Sequence, residues 1–388
     1  MKETAKWEKD YQYIKEFSLI MISGCKVKTD SGISIFTPDG VSSYNGLWLR
    51  DFSYMVEYSG VHIEEREIVD CIEYAIEHRR SDGWMPDRVY GDGTTAYAAG
   101  EVGHPIGEAN LDNTPFLIFI IHSLYLRMEE TLFVDLFIKW RRHLEKGLQI
   151  IPLSESGMVY NSSEKPHSPY GFTDTVCKTG ELFLETILYW RACLFMEEMN
   201  VQLRLPGGVS YYGIMKRIET AIDVLYESSS GAFYAATESC REIDIWGMIY
   251  SLYIDYPYKK DQKGQMLSFL KVHAEDYLYE GQVRHLLKNE YWEKLLIDIK
   301  PEEYQNGAYW ATATGWAVWC LFQSDRKQAA VTLKRAIQYF QTYGSFECVN
   351  DGYVKCANFV VSVTNVLGVM DRLSGDCDFI DLYENTEI

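Results

Sequence analysis

The chain has 388 residues, 47% hydrophobic and 24% charged, with a formal net charge of −19. Such a composition excludes a disordered chain, and the charge opposes binding to a nucleic-acid backbone or an anionic membrane. A neutral substrate is the easier expectation, and aromatic residues at 14%, with 10 Trp and 29 Tyr, suit a ligand with flat apolar faces or simply a large core.

In chain order, helical periodicity predicts twelve helices at 3–23, 50–59, 64–80, 112–128, 130–150, 174–199, 209–227, 241–255, 260–274, 307–323, 326–343 and 356–374. The opening "MKETAKWEKDYQYIKEF" is charged throughout and does not read as a secretory leader. The longest apolar run, "FLIFIIHSLYL" at 116–126, is too short to span a bilayer. Connections after even-numbered helices are short, and those before them are long. Six helical hairpins closed into a ring, an all-α (α/α)6 barrel, account for this alternation, with 1–388 as a single domain. Long loops inside a compact domain tend to carry function. A helical-repeat solenoid would show a motif at fixed period, and none recurs. Nine cysteines without a CxxC pair fit reduced thiols and a cytoplasmic protein.

The unusual residues gather where the long connections meet the even helices. These segments are "YNGLWLRDFSYM", "DGWMPDRVYGDG", "EANLDNTPF", "YGFTDT", "REIDIWGM", "QNGAYWATATGW" and "GSFECVNDG". In a ring, the amino ends of the inner helices converge. They would bring together Asp51, Asp87, Asp112, Asp174, Asp244 and Glu347, walled by Trp48, Trp84, Trp246, Tyr309 and Trp310. Arg50, Asn113, Lys178 and Asn306 complete the candidate binding set. Carboxylates that accept hydroxyl hydrogen bonds, beside aromatic faces that meet ring C–H patches, make a carbohydrate site. Paired carboxylates also suit glycoside hydrolysis. Each position has a plainer reading. Asp or Asn before a helix is a common cap, Asp112–Asn113 before Pro115 looks like a helix start, and an Arg50 that only orients Asp51 would be a structural ion pair. Capping does not explain the recurrence of Trp and Arg at successive inner helices. Dispersed histidines, and the lack of a Gly-rich phosphate loop or a GxSxG, imply no metal and no cofactor.

These segments, in this order, resemble the six-hairpin glycosidases over nearly the whole chain. In motif order they are similar to inverting enzymes such as trehalase and the processing α-glucosidases. The resemblance implies that Asp174, in "YGFTDT", is the general acid, and that Glu347, in "FECVND", is the general base. It also implies that "WLRDFSYM" binds substrate. Val349 stands where an aromatic residue is usual, and Thr173 precedes Asp174 where a second Asp is expected. At the start of a helix, Asp174 would feel the dipole and Lys178, both of which depress a carboxyl pKa. Glu108, Asp51 and Asp244 are the reserve acids. A sugar epimerase or isomerase, an unsaturated-uronide hydrolase, or a silent carbohydrate-binding protein are the alternatives on the same ring.

Overall fold

Two kinds of helix alternate along the chain. A computed structural model describes residues 5–40 and 43–388. The helices are α1 (Lys6–Gly24), α2 (Leu49–Ser59), α3 (Glu65–Glu77), α4 (Asn113–Tyr125), α5 (Glu130–Gln149), α6 (Phe183–Gln202), α7 (Tyr212–Ala221), α8 (Ile245–Tyr253), α9 (Lys260–Val272), the single-turn α10 (Ala274–Tyr277), α11 (Thr314–Ser324), α12 (Arg326–Tyr343), α13 (Val361–Leu373) and α14 (Cys377–Asn385). In α5 only one stripe is buried, from Phe133 and Phe137 through Trp140 to Leu144 and Leu148. That is the pattern of a helix with one face on solvent. In α4 the run from Phe116 to Ile121 is buried without interruption, as expected of a helix surrounded by protein on all sides.

The surrounded helices form the inner ring. α2 packs on α4, α4 on α6, α6 on α8, α8 on α11, α11 on α13, and α13 returns to α2. The half-exposed helices lie outside it: α3 and α5 against α4, α7 against α6, α9 against α8 and α11, α12 against α11, and α1 against α13. The chain is therefore the closed (α/α)6 barrel that the alternating connections predict. The inner crossings are close. A Cβ on Gly315 would sit 2.3 Å from the Asn365 carbonyl oxygen, so only glycine lets α11 meet α13 there. One apolar cluster runs through the barrel from Trp7 to Tyr383.

The long connections are built differently from their prediction. They carry short antiparallel strands. Five pair in the order Leu278–Tyr279, Gln282–Arg284, Tyr309–Trp310, Phe346–Asn350 and Tyr353–Ala357. Three more pair as Gly46–Trp48, Arg88–Tyr90 and Thr95–Ala96. The helices predicted at 307–323 and 356–374 therefore begin later, at Thr314 and Val361. Asp351–Gly352 turns the last hairpin, with Gly352 at φ +70°. The helix predicted from 174 starts at Phe183 instead. Gly180 adopts φ +85° and pairs in a short strand with Asn161, so no helix runs through it. The first two residues of the helix predicted at 3–23 lie outside the described residues. α14 has no counterpart in the predicted set. No helix among the described residues is long and apolar enough to cross a membrane.

Candidate active site

The inner helices aim their amino ends at the strand-bearing side, and a pocket opens there. Its lining includes Pro38, Tyr44, Trp48, Arg50, Asp51, Phe172, Asp174, Tyr304, Glu347 and Phe359. Counting its open mouth, it holds about 300 Å³. A second, wider chamber of about 970 Å³ on the same measure shares Tyr44, Trp48, Asp174 and Tyr304 with it. Asp51 and Glu347 face the inner chamber only, whereas Asp174 stands at the junction of the two.

Arg50, in the first turn of α2, is the pivot. Its Nη1 lies 3.4 Å from Asp87 Oδ1 and 3.4 Å from Asp112 Oδ2. Its guanidinium rests over the Phe172 ring at 5.2 Å. Burial disfavours its charge, but Asp112 and Asp87, with Asp51 and Asp174, together outweigh burial and hold it protonated. Gly171 is the cost of this arrangement. A Cβ there would fall 1.6–2.0 Å from guanidinium atoms. The glycine before the catalytic candidate is thus required for space. Its amide is also tied, donating to Asp112 Oδ2 at 2.8 Å.

Asp174 follows the 3-10 turn Gly171–Thr173 and is partly exposed. It caps no helix, because α6 starts nine residues later with Leu182 at its cap position. The expected depression by a helix dipole is therefore absent. Lys178 does not reach it either. The ammonium is buried against Glu185 Oε1 at 2.5 Å. Desolvation instead raises the Asp174 pKa to about 7, against the opposing pull of Arg50 and a hydrogen bond from Gln305. Gln305 Nε2 donates to Asp174 Oδ1 at 2.8 Å, while its Oε1 accepts from Thr175 N at 2.9 Å and Thr175 Oγ1 at 2.6 Å. Thr175 thereby fixes which end of the amide meets the carboxyl.

Glu347 lies on the strand Phe346–Asn350 and is 2% exposed. Its Oε1 accepts from Tyr44 Oη at 2.7 Å, and its Oε2 has no protein hydrogen bond. Burial raises its pKa. Lys355, Tyr44 and Tyr304 oppose that rise by stabilising the charged form. The Lys355 ammonium sits 3.0 Å from the centre of the Tyr304 ring. Asp51 is pushed to about 7, mainly by burial, with Arg50 opposing and Glu347 reinforcing. Its Oδ1 also lacks a protein partner.

Of the predicted set, then, Trp48, Arg50, Asp51, Asp174 and Glu347 share the pocket. The others line neither chamber. Asp87 and Asp112 lie behind Arg50 as counter-charges. Asp244 is a helix cap, accepting from Gly247 N at 2.8 Å at the start of α8. Asn113 clamps the carbonyls of Met85 and Tyr97, both at 3.0 Å. Asn306 braces its own loop by accepting from Trp292 N and donating to the Ile299 carbonyl. Trp84 packs on His167. Trp246 and Trp310 are fully buried behind Phe172, which they contact edge-on or tilted. Tyr309 packs on Tyr279 in the sheet. Large rings are kept dry there because the ring of helices needs a filled centre. Glu108 pairs with Lys165 at 3.1 Å and lines neither chamber. Tyr44, Phe172, Tyr304, Gln305 and Lys355 were not among the predicted residues. "QNG" flagged the right segment, but through Asn306 rather than its neighbour, and "YNGLW" held Tyr44 unnoticed. Among the described residues, no group of three or more His, Cys, Asp or Glu side chains could hold a metal ion.

No protein-family model matches the sequence, and a comparison with curated proteins finds no match. Solved structures do share the fold. A rhamnosidase from Klebsiella oxytoca with rhamnose bound superposes with a TM-score of 0.68 at 12% identity, over 94% of this chain and 64% of that one. The present chain thus spans just under two thirds of that enzyme's length. A GH63 mannosylglycerate hydrolase from Thermus thermophilus in complex with glucose gives 0.65 at 12% identity, over 92% and 99% of the two chains. A Streptococcus pneumoniae protein, described among metal-independent alpha mannosidases and bound to alpha-1,6-mannobiose, gives 0.65 at 11% identity over 94% of each chain.

Proposed function

We propose that this protein is a glycoside hydrolase that removes a terminal sugar from a short oligosaccharide or glycoside. Asp174 is the general acid and Glu347 the general base of an inverting displacement. The observation that carries this reading is the placement of the two carboxyls on one pocket, with Asp174 at the junction of two chambers and Glu347 in the inner one. A sugar ring in the inner chamber would direct its glycosidic oxygen outward past Asp174. Glu347 Oε2, unpaired, would take the proton of a water attacking from the far side, with Oε1 held by Tyr44. A raised carboxyl pKa suits the acid, and charge-stabilising partners suit the base. Asp51 and Trp48 would bind hydroxyl groups and a ring face.

The likeness in fold to enzymes named as rhamnosidase, mannosylglycerate hydrolase and alpha mannosidase supports the same class of chemistry. The inner chamber sets three carboxyls against one guanidinium already committed to Asp87 and Asp112. That balance disfavours an unsaturated uronide, whose carboxylate needs a free cation. Among the described residues no histidine lines it, which disfavours an isomerase working through paired imidazoles. A single barrel domain in the cytoplasm is consistent with nine unpaired cysteines, seven of them buried.

The test is a screen of disaccharides and aryl glycosides, with NMR following the anomer first released. Inversion is expected, together with a loss of activity of ~10²-fold or more in Asp174→Asn and Glu347→Gln. Wild-type rates in both variants would reject the assignment.

A further inference from the structure

The outer chamber carries its own chemical signature. Among the described residues, its lining holds one cation, Arg88, and two acids, Glu101 and Asp174. Arg88 is spent on the protein. Nη1 donates to Asp87 Oδ2 at 2.7 Å and to the Ala98 carbonyl at 3.2 Å. Nε donates to Tyr90 Oη at 2.9 Å, and Nη2 donates to the Gly100 carbonyl. Four of the five guanidinium N–H groups are thereby engaged, and its charge is matched by buried Asp87. The guanidinium also lies over the rings of Trp48 and Tyr90, at 5.3 and 5.7 Å. The walls are otherwise aromatic or aliphatic, with Trp48, Tyr90, Val102, Ile106 and Ile297, and carry the neutral polar groups of Ser43 and Asn45.

Resting on the hydrolase reading above, we infer that the leaving group this chamber accepts is an uncharged polyol or second sugar, and that a carboxylate-bearing aglycone such as glycerate is rejected. A carboxylate would enter a space where no cation is free and Glu101 repels it, whereas a sugar ring finds an aromatic face and neutral hydrogen-bonding groups. The substrate class therefore differs from that named for the mannosylglycerate hydrolase of the same fold.

The experiment uses rhamnosyl, mannosyl and glucosyl donors, each joined to glycerol, to glycerate or to a second hexose. kcat/KM is measured with the wild-type chain, and binding is measured by calorimetry with Asp174→Asn. The neutral members are expected to exceed the matching glycerate by ~10-fold or more in both readouts. Glu101→Lys, which adds a free cation, should narrow that ratio ~10-fold. Equal or better handling of glycerate by the wild type, an unmoved ratio in Glu101→Lys, or no binding of any member would overturn the inference. If no donor is cleaved yet the neutral members bind preferentially to Asp174→Asn, the hydrolase reading falls and the chamber's selectivity stands.

Discussion

Gly171→Ala should be among the most damaging small substitutions in this protein. The new methyl group would lie 1.6–2.0 Å from the Arg50 guanidinium. Retreat of the turn is blocked, because Gly171 N is bonded to Asp112 Oδ2 and its carbonyl accepts from Gln305 Nε2 at 3.3 Å. Arg50 must therefore move, and it is 5% exposed with Phe172 beneath it. Its departure leaves buried Asp112 without its counter-charge, while Asp87 keeps only Arg88. Breaking a buried ion pair on one side costs about 3–5 kcal/mol, a large part of the roughly 5–15 kcal/mol that holds a domain together. Urea denaturation followed by tryptophan fluorescence measures it. Gly213→Ala, near the start of α7 with nothing within 4 Å of the added carbon, is the control and should be neutral or slightly stabilising. In an Arg50→Ala background, Gly171→Ala should cost under about 1 kcal/mol, because the clash has gone. A full penalty in that background, or a Gly171→Ala protein within about 0.5 kcal/mol of wild type, would refute the reasoning.

Tyr44→Phe removes the 2.7 Å hydrogen bond to Glu347, which stabilises the charged carboxylate. The Glu347 pKa should rise further, moving the acidic limb of the kcat/KM profile up by roughly 1 unit and lowering the optimum rate about tenfold. Lys355→Met should move the same limb upward by roughly 0.5–1 unit, with Lys355→Arg restoring it; a fall in rate without a shift would mean that Lys355 only props Tyr304. Stability should also respond to pH. Asp51 and Asp174 are raised to about 7, and Asp112 and Asp244 to about 6, chiefly by burial. Between their unfolded values near 3.8 and these folded values the native state holds more protons, so their contribution falls as pH rises. His122, lowered to about 3 by burial and Arg191, and His285, lowered well below its usual value by burial and then Lys178, act in the opposite sense and favour higher pH. The acids outnumber the imidazoles, so equilibrium denaturation should find these groups stabilising pH 5 over pH 7.5. Asp51→Asn should flatten that slope and stabilise the fold at pH 8 by about 1–3 kcal/mol at the expense of activity.

Much of this molecule is written along the chain. The alternation of short and long connections is a local property, as is the contrast between half-apolar and wholly apolar helices, and together they specify a ring of six hairpins with its long loops on one side. The segments that build the pocket were legible for the same reason: Trp48, Arg50, Asp51, Asp174 and Glu347 all lie where a long connection carries unusual residues. What each polar side chain does there was not legible, because a buried carboxyl is defined by what surrounds it, and its surroundings come from distant parts of the chain. Asp112 and Asp244 both precede inner helices, yet Asp244 caps its helix whereas Asp112 turns away to hold Arg50 and Gly171. Lys178 stands four residues beyond Asp174, a spacing that pairs side chains only in a helix, and the chain there is not one. The partners of the two candidate catalytic groups, Gln305 for Asp174 and Tyr44 for Glu347, lie 131 and 303 residues away. Such contacts exist only once the ring has closed.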